Sequence, residues 1–205
     1  MPAPEVLLLR HARSVWNEEG RWQGQADPPL SDLGAAQAKR VGDGLKPFDL
    51  VVSSDLERAR RTAELLARRQ PDIVEAGLRE FDVGDWSGLT RQEIVHGWPG
   101  ELADFDAGRL DHPPGGETRA QFEARVLETA GRLAVEIEQR RVGSVLVVSH
   151  GGVIRTLSGR PDRPVVQLSG YRAVVMDGLM VITEPVELLI RDGTAPFPEA
   201  VRSEP

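Results

Sequence analysis

Val6-Leu-Leu-Leu-Arg-His-Ala-Arg13 sets a short apolar run directly before an arginine and a histidine. Consecutive apolar residues without polar alternation read as a strand buried on both faces, the kind found in parallel sheets covered by helices. Two later stretches repeat the arrangement. Leu50-Val-Val-Ser53 leads into Ser54 and Arg58, and Ser144–Ser149 leads into His150-Gly-Gly152. Asp72–Glu75 is a shorter strand between them.

Helical patterns separate these strands. A helix starts at Ser31 and is expected to carry Leu33, Val41 and Leu45 on its apolar face. Ser54-Asp-Leu-Glu57 has the form of a capping box and opens a helix with Leu56, Ala59, Ala63 and Leu66 in register. Thr118–Arg140 is a long amphipathic helix built on Phe122, Val126, Ala130, Leu133 and Ile137. Strands that alternate with helices predict an α/β fold with a mostly parallel sheet covered on both faces.

The segment from 84 to 117 changes character. It is rich in Gly, Pro and Trp, and Thr90-Arg-Gln-Glu93 is a second capping box before a short helix. This segment is placed to roof a site, with Trp86 packing it internally and Trp98, Phe105, Arg109 and His112 as candidates to select a substrate. Past Arg155, Ser158-Gly-Arg-Pro161 and Pro164 stop the next helix early. Tyr171–Met176 and Leu179–Glu184 flank Asp177-Gly178, a hairpin signal. Residues 192–205 read as an irregular tail. No repeat or linker divides the chain, so residues 1–205 are read as one domain.

The 205 residues include no cysteine, which excludes disulfides, thiolate metal sites and a thiol nucleophile. The histidines are His11, His96, His112 and His150, and no pair has the spacing of a zinc helix. No metal and no cofactor is called for. The net charge of −7 gives no global field for nucleic acid. No apolar run is long enough to cross a bilayer, and the N-terminus lacks a signal-peptide pattern, so a cytoplasmic protein is expected. An anionic substrate then has to be held by a local group of cations.

The strand ends supply that group. Arg10 and His11 follow the first strand, Arg58 the second, and His150 the fourth. Sheets of this kind bind ligands at the carboxyl ends of their strands. Two histidines and two arginines at one edge define an anion site. A neutral imidazole is a nucleophile near neutral pH, and guanidinium groups match the oxygens of a transferring phosphoryl group. Arg58 also falls in the first turn of a helix, and Gly151-Gly152 let the backbone approach a ligand closely. A leaving alkoxide needs a proton, and Glu80 in Leu78-Arg-Glu-Phe81 is the preferred acid over Asp82 and Asp85. On chemistry alone a solvated surface carboxylate is an equal reading of Glu80.

The same residues form an ordered set of motifs. Leu9-Arg-His-Ala-Arg-Ser-Val-Trp-Asn17, Gly20-Arg-Trp-Gln-Gly24, Ser53–Ala63, Leu78-Arg-Glu80 with Gly84-Asp-Trp-Ser-Gly88, Pro114-Gly-Gly-Glu117 and Val148-Ser-His-Gly-Gly152 follow one another over about three quarters of the chain. This order resembles the histidine phosphatase superfamily, also called phosphoglycerate mutase-like. The resemblance implies a three-layer α/β/α sandwich, no metal, and a small-molecule phosphate ester as the partner. It implies His11 as the phospho-accepting nucleophile, with Arg10, Arg58 and His150 completing the phosphate pocket. Asn17, Gln23, Gly24 and Gly151 would line it, and Glu80 would protonate the leaving oxygen and then activate water. Ala12 departs from the family pattern, which has Gly there.

The compact Gly84–Gly88 segment resembles the phosphatase branch, so a phosphomonoester phosphatase is expected. The alternative is a cofactor-dependent phosphoglycerate mutase, which has to shield its phosphohistidine from water. A protein phosphohistidine phosphatase ranks below both, because such relatives lack much of the middle segment. A phosphate sensor without turnover ranks last, since every residue the chemistry needs is present.

Overall fold

The alternation along the first strand decides the layering. In the computed structural model, which describes residues 2–189, β1 (Glu5–Arg10) sends Val6 and Leu8 into one core and Leu7 and Leu9 into the other. Successive side chains of a strand point to opposite faces, so a wholly apolar strand requires cover on both.

The chain continues through α1 (Val15–Glu18), α2 (Asp32–Gly44), β2 (Leu50–Ser54), α3 (Glu57–Ala67) and β3 (Ile73–Glu75). Two short 3-10 turns lie at Ala76–Leu78 and Gly84–Trp86. Then come α4 (Arg91–Gly97), α5 (Glu101–Asp106), α6 (Arg119–Arg140), β4 (Ser144–Ser149), α7 (Gly151–Ser158), β5 (Ser169–Met176) and β6 (Leu179–Glu187). The six-stranded sheet has the order β3-β2-β4-β1-β5-β6. The first four strands in that order are parallel, and β5 and β6 run antiparallel. The α/β expectation holds, with an antiparallel edge.

Ala38 and Val41 of α2 join Ala59, Ala63 and Leu66 of α3 on one face. Phe122, Val126, Leu133 and Ile137 of α6 join Val153 and Ile154 of α7 on the other. Neighbouring β1 and β4 thus send their following helices to opposite faces, which opens a crevice at their carboxyl ends. A third, smaller core forms under the roof from Val83, Trp86, Ile94 and Leu102, with Trp22 and Phe105 against it. Trp86 is fully buried there, edge-on to both aromatic rings.

Several local expectations hold. Thr90 caps α4 in a reciprocal box with Glu93, and Thr118 caps α6 in the same way with Gln121. Asp177 and Gly178 both adopt positive φ, as a tight hairpin turn requires. α7 ends at Gly159 in the left-handed conformation, before the predicted proline stop.

Others are corrected. Leu33 is 51% exposed, and the buried face of α2 is Gly34, Ala38, Val41 and Gly42. A Cβ on Gly34 would lie 2.0 Å from the Arg13 carbonyl, and Gly42 admits the neighbouring helix, at the backbone of Leu65 and Leu66. Ser54 does not cap α3. The helix starts after Leu56, and the carboxylate of Asp27 accepts the Glu57 N–H at 2.8 and 3.0 Å. The expected tail over 192–205 lies outside the described residues.

Candidate active site

Parallel register brings the two histidines together. Arg10 of β1 stands opposite Ser149 of β4, and the His11 N–H donates to the Ser149 carbonyl at 2.9 Å. The next residues, His11 and His150, face each other with ring centroids 5.2 Å apart. Both are buried, as is Arg58.

Hydrogen bonds fix the state of His11. Its Nδ1 lies 2.6 Å from the Ala12 carbonyl. A carbonyl only accepts, so Nδ1 carries the proton and Nε2 keeps a lone pair. Burial, then the charges of Arg58 and Arg10, hold the imidazole well below its ordinary 6.5, against the opposing Ala12 bond. His150 is likewise held well below 6.5, by burial first and then by Arg58, His11, Arg10 and Arg125. Both rings are neutral at neutral pH. Ala12 is fully buried in the core beneath, and its N–H donates to Thr62, so the extra methyl relative to Gly is accommodated.

The arginines are anchored by carbonyls. Arg58 donates to Ala26 at 2.6 Å and Gly24 at 2.7 Å, and its nearest carboxylate is Asp27 at 3.9 Å. Arg10 donates to Val165 at 2.6 Å. Burial pushes the Arg58 guanidinium down to about 10, with Glu80 and Asp27 opposing and Arg10 adding to the fall. Burial also lowers Arg10, with Glu80 opposing and Arg155 adding to the fall. Nε of each arginine and Nδ1 of His150 are buried without a protein partner. Such groups are costly unless an anion takes them up.

Ser14, fully buried, orients the amide side chains and was not singled out from sequence. Its N–H donates to the Asn17 side-chain oxygen, and its hydroxyl donates to the Gln23 side-chain oxygen. With both oxygens engaged, Asn17 and Gln23 have NH2 groups to offer the cleft they line. Gly24 lines it too, at positive φ, where a Cβ would meet Val83.

Glu80 is half-buried on the opposite wall. Its carboxylate accepts the Gly152 N–H at 3.1 Å to each oxygen and the Phe81 N–H at 3.0 Å. Gly152, rather than Gly151, forms the cleft wall. Gly151 is buried behind Arg155, whose Nη1 would lie 3.3 Å from a Cβ at that position. Arg155 borders the cleft one helical turn beyond Gly151, a spacing that could have flagged it. Ser14-x-x-Asn17 is a local capping box that could have flagged Ser14 as the cap of α1, whereas its bond to Gln23 depends on the folded loop.

The cleft holds about 730 Å³. Arg10, His11 and Arg58 line its floor, and His150, fully buried, faces His11 without lining the cleft itself. Trp22, Phe81, Val83, Phe105, Phe122 and Leu127 give the cleft an apolar share, interrupted by the charged Arg21, Arg119 and Glu123. Trp98, Arg109 and His112 do not reach it, so of the proposed selectors only Phe105 does. His96 is exposed on α4. Among the described residues no group of three or more His, Cys, Asp or Glu is arranged to hold a metal, and no helix is long and apolar enough to cross a membrane.

A buried histidine pair, the buried Arg58, the partly buried Arg10 and a carboxylate above them form one cationic site at the end of an α/β sheet. The model of the histidine phosphatase superfamily (branch 1) matches residues 6–161, and the chain belongs to that family. It is 39% identical over 168 residues to glucosyl-3-phosphoglycerate phosphatase of Mycolicibacterium vanbaalenii, covering 77% of this chain and 74% of the relative. It is 37% identical to a 2,3-bisphosphoglycerate-dependent phosphoglycerate mutase of Methylocella silvestris, covering 74% of this chain and 78% of the relative. Among solved structures it is similar to the α-ribazole phosphatase of Shigella flexneri, with a TM-score of 0.76, 27% identity, and 88% and 95% of the two chains covered.

Proposed function

We propose that this chain is a phosphomonoester phosphatase that hydrolyses a small phosphorylated metabolite through His11, without a metal. The observation that carries the reading is the bond from His11 Nδ1 to the Ala12 carbonyl, which leaves Nε2 as the one basic nitrogen of the ring.

In the first step the Nε2 lone pair forms a bond to phosphorus as the ester P–O bond breaks. The leaving oxygen takes a proton from the Glu80 carboxyl group. Arg10, Arg58 and the amides of Asn17 and Gln23 hold the equatorial oxygens, and the partnerless Nδ1 of His150 adds a further donor. In the second step Glu80, now a carboxylate, takes a proton from water as its oxygen attacks phosphorus. The P–N bond breaks, its electron pair returns to Nε2, and phosphate leaves.

The relatives that are phosphatases support this reading, and the mutase relative marks the neighbouring one. A steady-state assay against a panel of phosphate esters, in the presence of a chelator, tests it. Phosphate release by the wild type and none by His11→Ala is expected. Activity abolished by the chelator would overturn the metal-free mechanism. No hydrolysis of any ester, together with 3-phosphoglycerate interconversion when bisphosphoglycerate is supplied, would favour the mutase.

A further inference from the structure

Glu80 stands on a stretch of chain that has no regular structure of its own. Residues 79–83, between the two 3-10 turns, belong to neither helix nor strand. A carboxyl group that has to meet a leaving oxygen within a few tenths of an ångström needs a firmer mount than that.

The mount comes from α6. The Arg125 guanidinium donates through Nη1 to the carbonyls of Gly77 and Arg79, at 3.0 Å each. Through Nη2 it donates to the Glu80 carbonyl at 3.4 Å and to the Glu117 carboxylate at 2.6 Å. The same Glu117 oxygen accepts the Asp82 N–H at 2.8 Å. One cation and one carboxylate thus hold the backbone on both sides of Glu80. Glu117 directly precedes the Thr118 cap of α6 and Arg125 lies in its second turn, between Phe122 and Val126, which are anchored in the core. Only a planar group with several divergent donors reaches three carbonyls and a carboxylate together, which a lysine ammonium does not.

We propose that Arg125, steered by Glu117, is a positioning residue that sets the Glu80 carboxyl group at the leaving oxygen. The proposal rests on the reading of Glu80 as the general acid.

The test is kcat/KM, which reports the steps up to the phosphoenzyme, for esters that differ in their need for a proton. 2,4-Dinitrophenyl phosphate leaves as a stable anion, and glycerol 3-phosphate does not. The ratio of the two rates within one preparation is independent of how much of it is folded. Glu80→Gln is expected to lower the alkyl-to-aryl ratio by about a hundredfold or more. Arg125→Met is expected to lower it by about thirtyfold, Arg125→Lys by nearly as much, and Glu117→Gln by about fivefold. Arg132→Met, which removes an exposed pair with Glu75 farther along α6, is expected to leave the ratio as it is. If Glu80→Gln splits the esters while the Arg125 and Glu117 variants lower both equally, the positioning role is overturned and the acid stands. If Glu80→Gln does not split them, the acid reading itself fails.

Discussion

His150 Nε2 lies 2.9 Å from the hydroxyl of Ser54, a residue 96 positions earlier in the chain. The Ser54 oxygen also accepts the Leu56 N–H at 3.3 Å, so its own proton is free for the imidazole. With Ser54 as donor, the His150 proton sits on Nδ1, the ring nitrogen without a protein partner. Ser54→Ala removes this choice of tautomer. Turnover is expected to fall by about tenfold, with vanadate binding weakened in parallel. Steady-state kinetics and vanadate inhibition check this, and unchanged inhibition would assign Ser54 to packing alone.

The two glycines after His150 are expected to differ sharply. A Cβ on Gly152 would lie 2.2 Å from Glu80 Oε1, whereas a Cβ on Gly151 meets the far end of Arg155 at 3.3 Å and Arg10 at an ordinary contact distance of 3.8 Å. Gly152→Ala displaces the carboxyl group and should lower kcat/KM for alkyl phosphates by about tenfold or more. Gly151→Ala should cost no more than about threefold, because Arg155 can swing aside. Equal losses in the two variants would contradict the placement of Glu80.

Arg58 is buried and binds two carbonyls of the loop that carries Gln23 and Gly24. Lysine keeps the charge but cannot grip both carbonyls while facing a phosphoryl group. Arg58→Lys is expected to lower kcat/KM by about a hundredfold, chiefly through transition-state charge left unmatched. A loss below tenfold, measured on the same ester series, would mean that charge alone suffices at this position.

Stability should depend on pH in a window set by the two histidines. Both imidazoles are held well below 6.5 in the fold, by burial first. Below that value the unfolded chain binds protons that the folded chain refuses, so stability is complete above it and is lost as pH falls. Each histidine contributes at most about 1.4 kcal/mol per pH unit. Thermal melts between pH 7.5 and 5 should show Tm falling with acid, and His11→Asn should flatten that slope. A slope identical to wild type would place the titration elsewhere.

The strands and most helix faces were legible because they follow from residue periodicity alone. Val6–Leu9 and Phe122–Ile137 needed no knowledge of their neighbours. The parts that were misread depend on contacts across the chain. Ser54-Asp-Leu-Glu57 has the letters of a capping box, yet its serine faces His150 and its helix is capped by Asp27 from a distant loop. Leu33 has the type of a buried residue, but α2 approaches through Gly34, where the Arg13 backbone leaves no room for a side chain, and through Gly42, against Leu65 and Leu66. In the site, His11, Arg10, Arg58 and His150 were readable from strand ends. Ser14 was half readable: its box with Asn17 is local, but its bond to Gln23 exists only once the loop is folded.

The loop that carries Gln23 and Gly24 and the roof are sewn to each other. Trp22 donates to the Leu89 carbonyl and accepts from Gly88, Arg21 pairs with Thr90, and the Arg21 guanidinium reaches the Gly88 carbonyl and Glu93. Gln23 and Gly24 follow directly in the same loop. A roof transplanted from a relative therefore arrives with its seam cut unless residues 20–25 travel with it. In this scaffold the roof and its seam form one discontinuous module, made of two stretches nearly sixty residues apart in sequence.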